Sequence, residues 1–171
     1  RSVPRRVDGK DGEGNEGAAC LTGRNLLQER AIAIDNDICG LLRNFGLKVG
    51  SVGTVGFEER IRGLVDGLPE LGMIMEPLLA ARQRLRETFM ALHRKLLSIV
   101  RDDEACRRLM TIPGVGPVTS LAFISTIDVP ARFRNSRAVG PALGLTPVLN
   151  QSGESNRVGR VSLCGDGLMR A

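Results

Sequence analysis

From Cys20 to Phe45 the apolar positions fall on a helical period. Leu27, Ile34 and Leu41 recur every seven residues, and Ala31, Ile38 and Phe45 form a companion row. Alternating steps of four and three predict one helix with a coiled-coil-like seam. Thr22 is placed to cap its start and Gly46 to stop it. A loop follows to Gly56, with glycine at 50, 53 and 56. It lacks the Lys-Ser/Thr pair of a phosphate-binding P-loop, which argues against nucleotide binding there. Phe57 to Leu68 reads as a short helix and Leu71 to Val100 as a long one. In the latter, Leu78, Leu85, Leu92 and Ile99 repeat at seven beside Phe89 and Leu96. Pro77 falls early in it, and Arg82 stands where a further apolar residue belongs. Two seamed helices predict an antiparallel hairpin or a dimer stalk, since heptads alone do not set partner number.

Beyond residue 102 the pattern shortens. Asp102 or Asp103 can cap a helix from Glu104 to Met110. Two apolar runs then flank Pro113-Gly-Val-Gly-Pro117, and the second continues as a helix to about Thr126. Backbone N–H groups at such a turn, at the start of a helix, suit an anion such as a DNA phosphate. A ligand-free helix–helix turn is the alternative. Asp128 to Arg137 is a turn with three arginines, followed by a short helix near Ser136 to Leu143. Thr146–Leu149 and Arg157–Leu163 are β-like pieces separated by a polar run, Asn150 to Asn156, and Gly165-Asp-Gly opens a last helix. The expected fold is mainly α: a long coiled-coil-like helical hairpin, then a small domain with a helix-hairpin-helix and a short β-hairpin. The expected boundaries are a disordered segment 1–17, a helical connector 18–102 and a basic domain 103–171.

Charge sharpens the division. Residues 1–104 hold 16 Lys/Arg and 16 Asp/Glu, whereas residues 105–171 hold 8 Arg and 3 acids, so 8 − 3 gives the whole net charge of +5. Arginine alone suits bidentate phosphate contacts, and a polyanion partner is the natural expectation, with a solvated basic face as the alternative. Composition excludes other classes. Cys20, Cys39, Cys106 and Cys164 form no metal-binding pair, and the single histidine, His93, has no second ligand at helical spacing. Asp8 and Asp11 lie in a glycine-rich tail, where they are solvated, so no metal is expected. The chain shows no signal peptide and no apolar run long enough to span a bilayer, which predicts a cytoplasmic protein.

Four stretches in fixed order carry a family resemblance: Leu41-Leu-Arg-Asn-Phe-Gly46, Ile112-Pro-Gly-Val-Gly-Pro117, Pro130-Ala-Arg-Phe-Arg-Asn-Ser-Arg137, and Leu143-Gly-Leu-Thr-Pro147 with Gln151-Ser-Gly-Glu154 behind it. From about Cys20 onward the chain resembles the C-terminal half of insertion-sequence transposases of the one-ten group, with one-sixteen and nine-oh-two relatives. The resemblance implies an RNA-guided enzyme of two modules. A RuvC-like domain with four magnesium-binding acids precedes a coiled-coil connector, and a transposase domain supplies a serine that attacks the DNA backbone. That serine corresponds to Ser152. Gly114, Val115, Gly116, Arg132, Arg134, Arg137, Arg157 and Arg160 are the expected nucleic-acid contacts. DNA, a guide RNA and further copies of the chain are the implied partners. Three features depart from the family. The RuvC-like acids are not found, Val161-Ser-Leu-Cys-Gly165 replaces a basic Ile-Ser-Lys-Arg-Gly, and the chain stops before the terminal helices. The expectation is a fragment that is inactive alone. A non-catalytic helix-hairpin-helix module and a coiled-coil scaffold are the competing readings.

Overall fold

The computed structural model describes residues 12–127, 131, 133–152 and 155–161. Asp8, Asp11, Arg132, Cys164 and the expected final helix lie outside the described residues. The protein is mainly helical, in the order α1 (Gly12–Asn44), α2 (Phe57–Leu64), α3 (Pro69–Asp102), α4 (Glu104–Leu109), α5 (Pro117–Ile127), a 3-10 turn (Ser136–Ala138) and α6 (Val139–Ala142). The antiparallel strands β1 (Pro147–Ser152) and β2 (Ser155–Val161) follow. No helix among the described residues is long and apolar enough to cross a membrane.

Two compact units divide the chain. One contains residues 22–95, and the other joins the segment up to Leu21 with residues 96–171. The division cuts across both long helices, so it differs from a boundary at residue 102. The reason is visible at Gly17. A Cβ there would come within 3.1 Å of Leu121 Cδ1 on α5. The glycine permits close helix packing, and Cys20, Leu21, Leu96, Val100, Cys106 and Leu121 are buried in the same unit. Helix α1 therefore starts well before Thr22, which lies inside it rather than at its cap, and residues 12–17 are helical rather than disordered.

The end of α1 follows the expected rule. Gly46 has φ +76°. Its N–H donates to the Arg43 carbonyl and the Leu47 N–H to the Leu42 carbonyl, both at 3.0 Å. This is the paired closure of a glycine-stopped helix, with Leu47 packed against the core that contains Leu42.

In the unit of residues 22–95 the core comprises Ile38, Leu42, Val49, Phe57, Ile61, Val65, Leu71, Met75 and Leu79. The buried row of α1 passes through Ala31, Ile38 and Leu42, while Leu41 and Phe45 of the expected seam are 37% and 60% exposed. Buried residues here are spaced for a single helix against a local core, which drifts away from a strict seven-residue repeat. On α3 the buried row continues from Leu71, Met75 and Leu79 to Arg82, which is 2% exposed. Pro77 sits inside α3 on an exposed side, where water can meet the carbonyl its ring leaves without a partner.

Arg82 is satisfied by groups from three other segments. Its Nε donates to Asp35 Oδ1, Nη1 donates to Glu58 Oε1 at 3.1 Å, and Nη2 donates to the Thr54 carbonyl at 3.3 Å. The guanidinium also lies 4.5 Å from the centre of the Phe57 ring. Each donor of the fork thus ties α3 to α1, the 47–56 loop or α2. Nearby, Arg62 forks onto Glu76 at 2.9 and 3.3 Å, and this hydrogen bonding holds the Glu76 carboxyl below its ordinary pKa.

Candidate nucleic-acid interface

The glycine turn is built from its neighbours inward. Asp103 caps α4 by accepting from the Cys106 N–H at 2.8 Å, and Cys106 is fully buried beneath it. Burial pushes the Cys106 thiol above its ordinary pKa. After α4, the Val115 N–H donates to the Ile112 carbonyl at 3.1 Å, and Gly114 has φ +87°. Proline at the second position and a positive-φ glycine at the third define a type II turn. Pro117 then occupies the first position of α5, where its fixed φ is helical and its missing N–H costs nothing. The Gly116 carbonyl accepts from the Ser120 N–H at 2.9 Å, and the Ser120 hydroxyl closes the first turn onto the Pro117 carbonyl at 3.0 Å.

Among the described residues, the N–H groups of Gly116, Val118 and Thr119 have no acceptor in the protein. The Val115 N–H, by contrast, is used inside the turn. The two glycines also differ. Gly114 is required by its φ, whereas a Cβ at Gly116 would meet nothing within 4 Å and its φ is not positive. No contact among the described residues requires the lack of a side chain at 116, and Gly40, Gly53 and Gly63 are equally open. Gly114→Ala should therefore cost about 1–2 kcal/mol of stability, measured by urea unfolding. Gly116→Ala should cost under about 1 kcal/mol in the same measurement.

Arg134 and Arg137 lie between α5 and α6, both exposed. Among the described residues neither forms an ion pair, in contrast to Arg62, Arg82, Arg84, Arg86 and Arg108. Asn135 fixes this segment. Its Oδ1 accepts from the Ala138 N–H at 3.2 Å and so caps the 3-10 turn, with Arg137 in that turn's last residues.

Ser152 is the last residue of β1 and pairs with Ser155. The polar run read as a loop is thus mostly paired strand: Asn150 is opposite Arg157 and Gln151 opposite Asn156, leaving two residues between the strands. Period-two alternation puts positions 150, 152, 155 and 157 on one face of the ladder. Between Leu149↔Val158 and Pro147↔Val161, β2 carries one residue more than β1, a bulge that includes the exposed Arg160. The register therefore brings Arg157 to the serine's face of the ladder. Among the described residues, no hydrogen bond or ion pair links the glycine turn to Arg134 or Arg137. No group of three or more His, Cys, Asp or Glu among the described residues could hold a metal ion.

Comparison with known proteins places these features. The profile of the Transposase IS116/IS110/IS902 family matches residues 106–171, which include the glycine turn, the arginine segment and the hairpin. A transposase for insertion sequence element IS1111A of Coxiella burnetii is 28% identical, over 99% of this chain and 48% of its own length. A transposase of Sinorhizobium fredii (y4pF/y4sB) is 31% identical over 85% of this chain and 39% of its own length. A family 20 transposase of Pseudomonas aeruginosa is 29% identical over 86% of this chain and 45% of its own length. The chain thus spans less than half the length of these relatives.

Proposed function

From its membership of the IS116/IS110/IS902 transposase family, we propose that this chain is the DNA-handling portion of an insertion-sequence transposase. The observation that carries the reading is the glycine turn. Among the described residues the N–H groups of Gly116, Val118 and Thr119 have no partner, and no contact requires Gly116 to lack a side chain. A phosphate supplies both the acceptor for those groups and the close neighbour. The α4–turn–α5 unit then acts as a helix-hairpin-helix that holds the DNA backbone. Arg134, Arg137 and Arg160 are exposed, and with Arg132 and Arg157 they contribute charge to the same task.

In this reading Ser152 is the nucleophile, and Arg157, on the same face of the hairpin, stabilises the charge on the attacked phosphate. The family resemblance further supports a guide RNA as partner and a RuvC-like acidic module as the holder of magnesium. Self-association through the long helices is favoured by Leu41 and Phe45, heptad residues left exposed by the local core.

Binding of a DNA duplex, followed by fluorescence anisotropy, tests the core of the reading. Neutralising about three to five phosphates gives a slope of log K against log salt of roughly −3 to −4.5. Binding that does not change with salt, or none at about 50 mM salt, would overturn it and leave the helical scaffold as the better account.

A further inference from the structure

The basic unit has an apolar feature that phosphate binding does not use. Phe123 and Ile127 of α5, Phe133, Asn135, Ser136 and Val139 line an open depression of about 320 Å³. The chain has only five phenylalanines and no Trp or Tyr. Phe57 is in the core of the other unit, Phe89 lies under Arg24 with the guanidinium carbon 4.8 Å from its ring centre, and Phe45 is exposed. The remaining two line this one depression, both half-buried and not stacked on each other. Polar groups stand at its edge. Asn135 commits Oδ1 to the Ala138 N–H, which leaves its amide N–H groups free to donate outward, and Ser136 is exposed beside it. Arg134 and Arg137 are exposed within two residues of these linings, without an ion-pair partner among the described residues.

We infer that this depression receives an unpaired base of single-stranded DNA, stacked on Phe133 beside Phe123 while Arg134 and Arg137 hold the flanking phosphates. The volume is at the lower limit of the roughly 300–1,000 Å³ of small-ligand clefts, which fits one base and not a duplex or a packed helix. A base has the apolar faces that two phenyl rings accept and edge acceptors for the Asn135 amide. Its backbone carries the negative charge that two free arginines require. An apolar peptide would satisfy the rings but leave both cations unused. The inference rests on the DNA-handling reading and adds to it a site for a single strand, where the glycine turn reads only backbone. Strand exchange exposes such bases transiently, and a site that stacks one stabilises the opened state.

The test uses the full chain and a short single-stranded DNA carrying 2-aminopurine, with the same sequence as RNA and a DNA duplex as the other arms. Stacking is expected to quench the 2-aminopurine fluorescence on binding. Phe133→Ala should weaken single-strand binding about 5- to 150-fold. Phe133→Leu keeps the apolar packing but removes the ring, and should weaken it by about five-fold or more, with duplex binding unchanged in both. No quenching, or single-strand binding by Phe133→Leu equal to the parent while duplex still binds, would overturn the base site and leave the DNA reading standing. Failure of the parent to bind either form of DNA at low salt would overturn the DNA reading and the base site with it. Quenching by the RNA and not by the DNA would overturn the assignment to DNA.

Discussion

Replacing Arg82 with alanine is expected to destabilise the unit of residues 22–95 by about 3 kcal/mol, the lower end of the range for breaking a buried ion pair. Arg82 is 2% exposed, yet its partners Asp35 and Glu58 keep 28% and 25% of their side-chain surface in contact with solvent. Removing the arginine would leave two carboxylates and the Thr54 carbonyl facing a void, but water can reach both acids in part. That access sets the cost near the lower bound. The ring contact with Phe57 is lost as well. Arg82→Lys should recover only a small part, because one ammonium on a flexible stem cannot span acceptors from three segments as a planar fork does. The measurement is urea unfolding followed by helical signal. A midpoint for Arg82→Ala equal to the parent would show that the cluster contributes nothing net to stability. Arg84→Ala is the control: its ion pair with Glu87 is exposed, and its loss should change stability by less than about 0.5 kcal/mol.

Arg82 also shows where a sequence can and cannot be read. The seven-residue spacing marks it as a polar residue in an apolar row. Its partners, however, come from residues 24 to 47 positions away, and no local pattern names them. Gly46 was legible because a glycine stop acts through bonds to its own preceding turn. The start of α1 was not legible. Gly12, Gly14 and Gly17 look like chain flexibility, but Gly17 is there so that α5 can approach, which is tertiary information. The choice of Leu42 over Leu41 is similar, since a period of 3.5 and one of 3.6 diverge too little over three turns to be told apart by spacing.

The candidate site divides in the same way. Proline and glycine at 113 and 114 specify their turn locally, and the turn is as read. The unequal roles of Gly114 and Gly116, and the loss of Val115 as a donor, depend on φ and on one hydrogen bond. Residues 150 to 156 have the composition of a loop, yet Asn150, Gln151 and Ser152 pair with Arg157, Asn156 and Ser155, which places Arg157 two positions from the Ser152–Ser155 pair. Phe133 stands in a stretch that carries the family resemblance, but nothing in the sequence pairs it with Phe123. What makes them notable is that they line one depression.

The larger functional effect is expected at Ser152. In a full-length relative, changing the serine aligned with Ser152 to alanine should abolish covalent protein–DNA adducts, read as a DNA-linked band that survives denaturation and is lost on nuclease digestion. The proposed step forms an Oγ–phosphorus bond as one phosphorus–oxygen bond to a sugar breaks. The serine proton leaves with solvent or a base, and the sugar oxygen departs as a hydroxyl. Without the oxygen there is no ester, so the loss should be complete. Changing the arginine aligned with Arg157 should instead slow adduct formation about 100- to 1,000-fold, as for removal of one group that stabilises developing charge, with DNA affinity lowered much less. Loss of affinity and adduct rate in equal measure would make Arg157 a backbone-holding residue only. Persistence of adducts in the alanine variant would move the nucleophile away from Ser152. The end of β1 suits this task, because pairing to Ser155 fixes the backbone of Ser152.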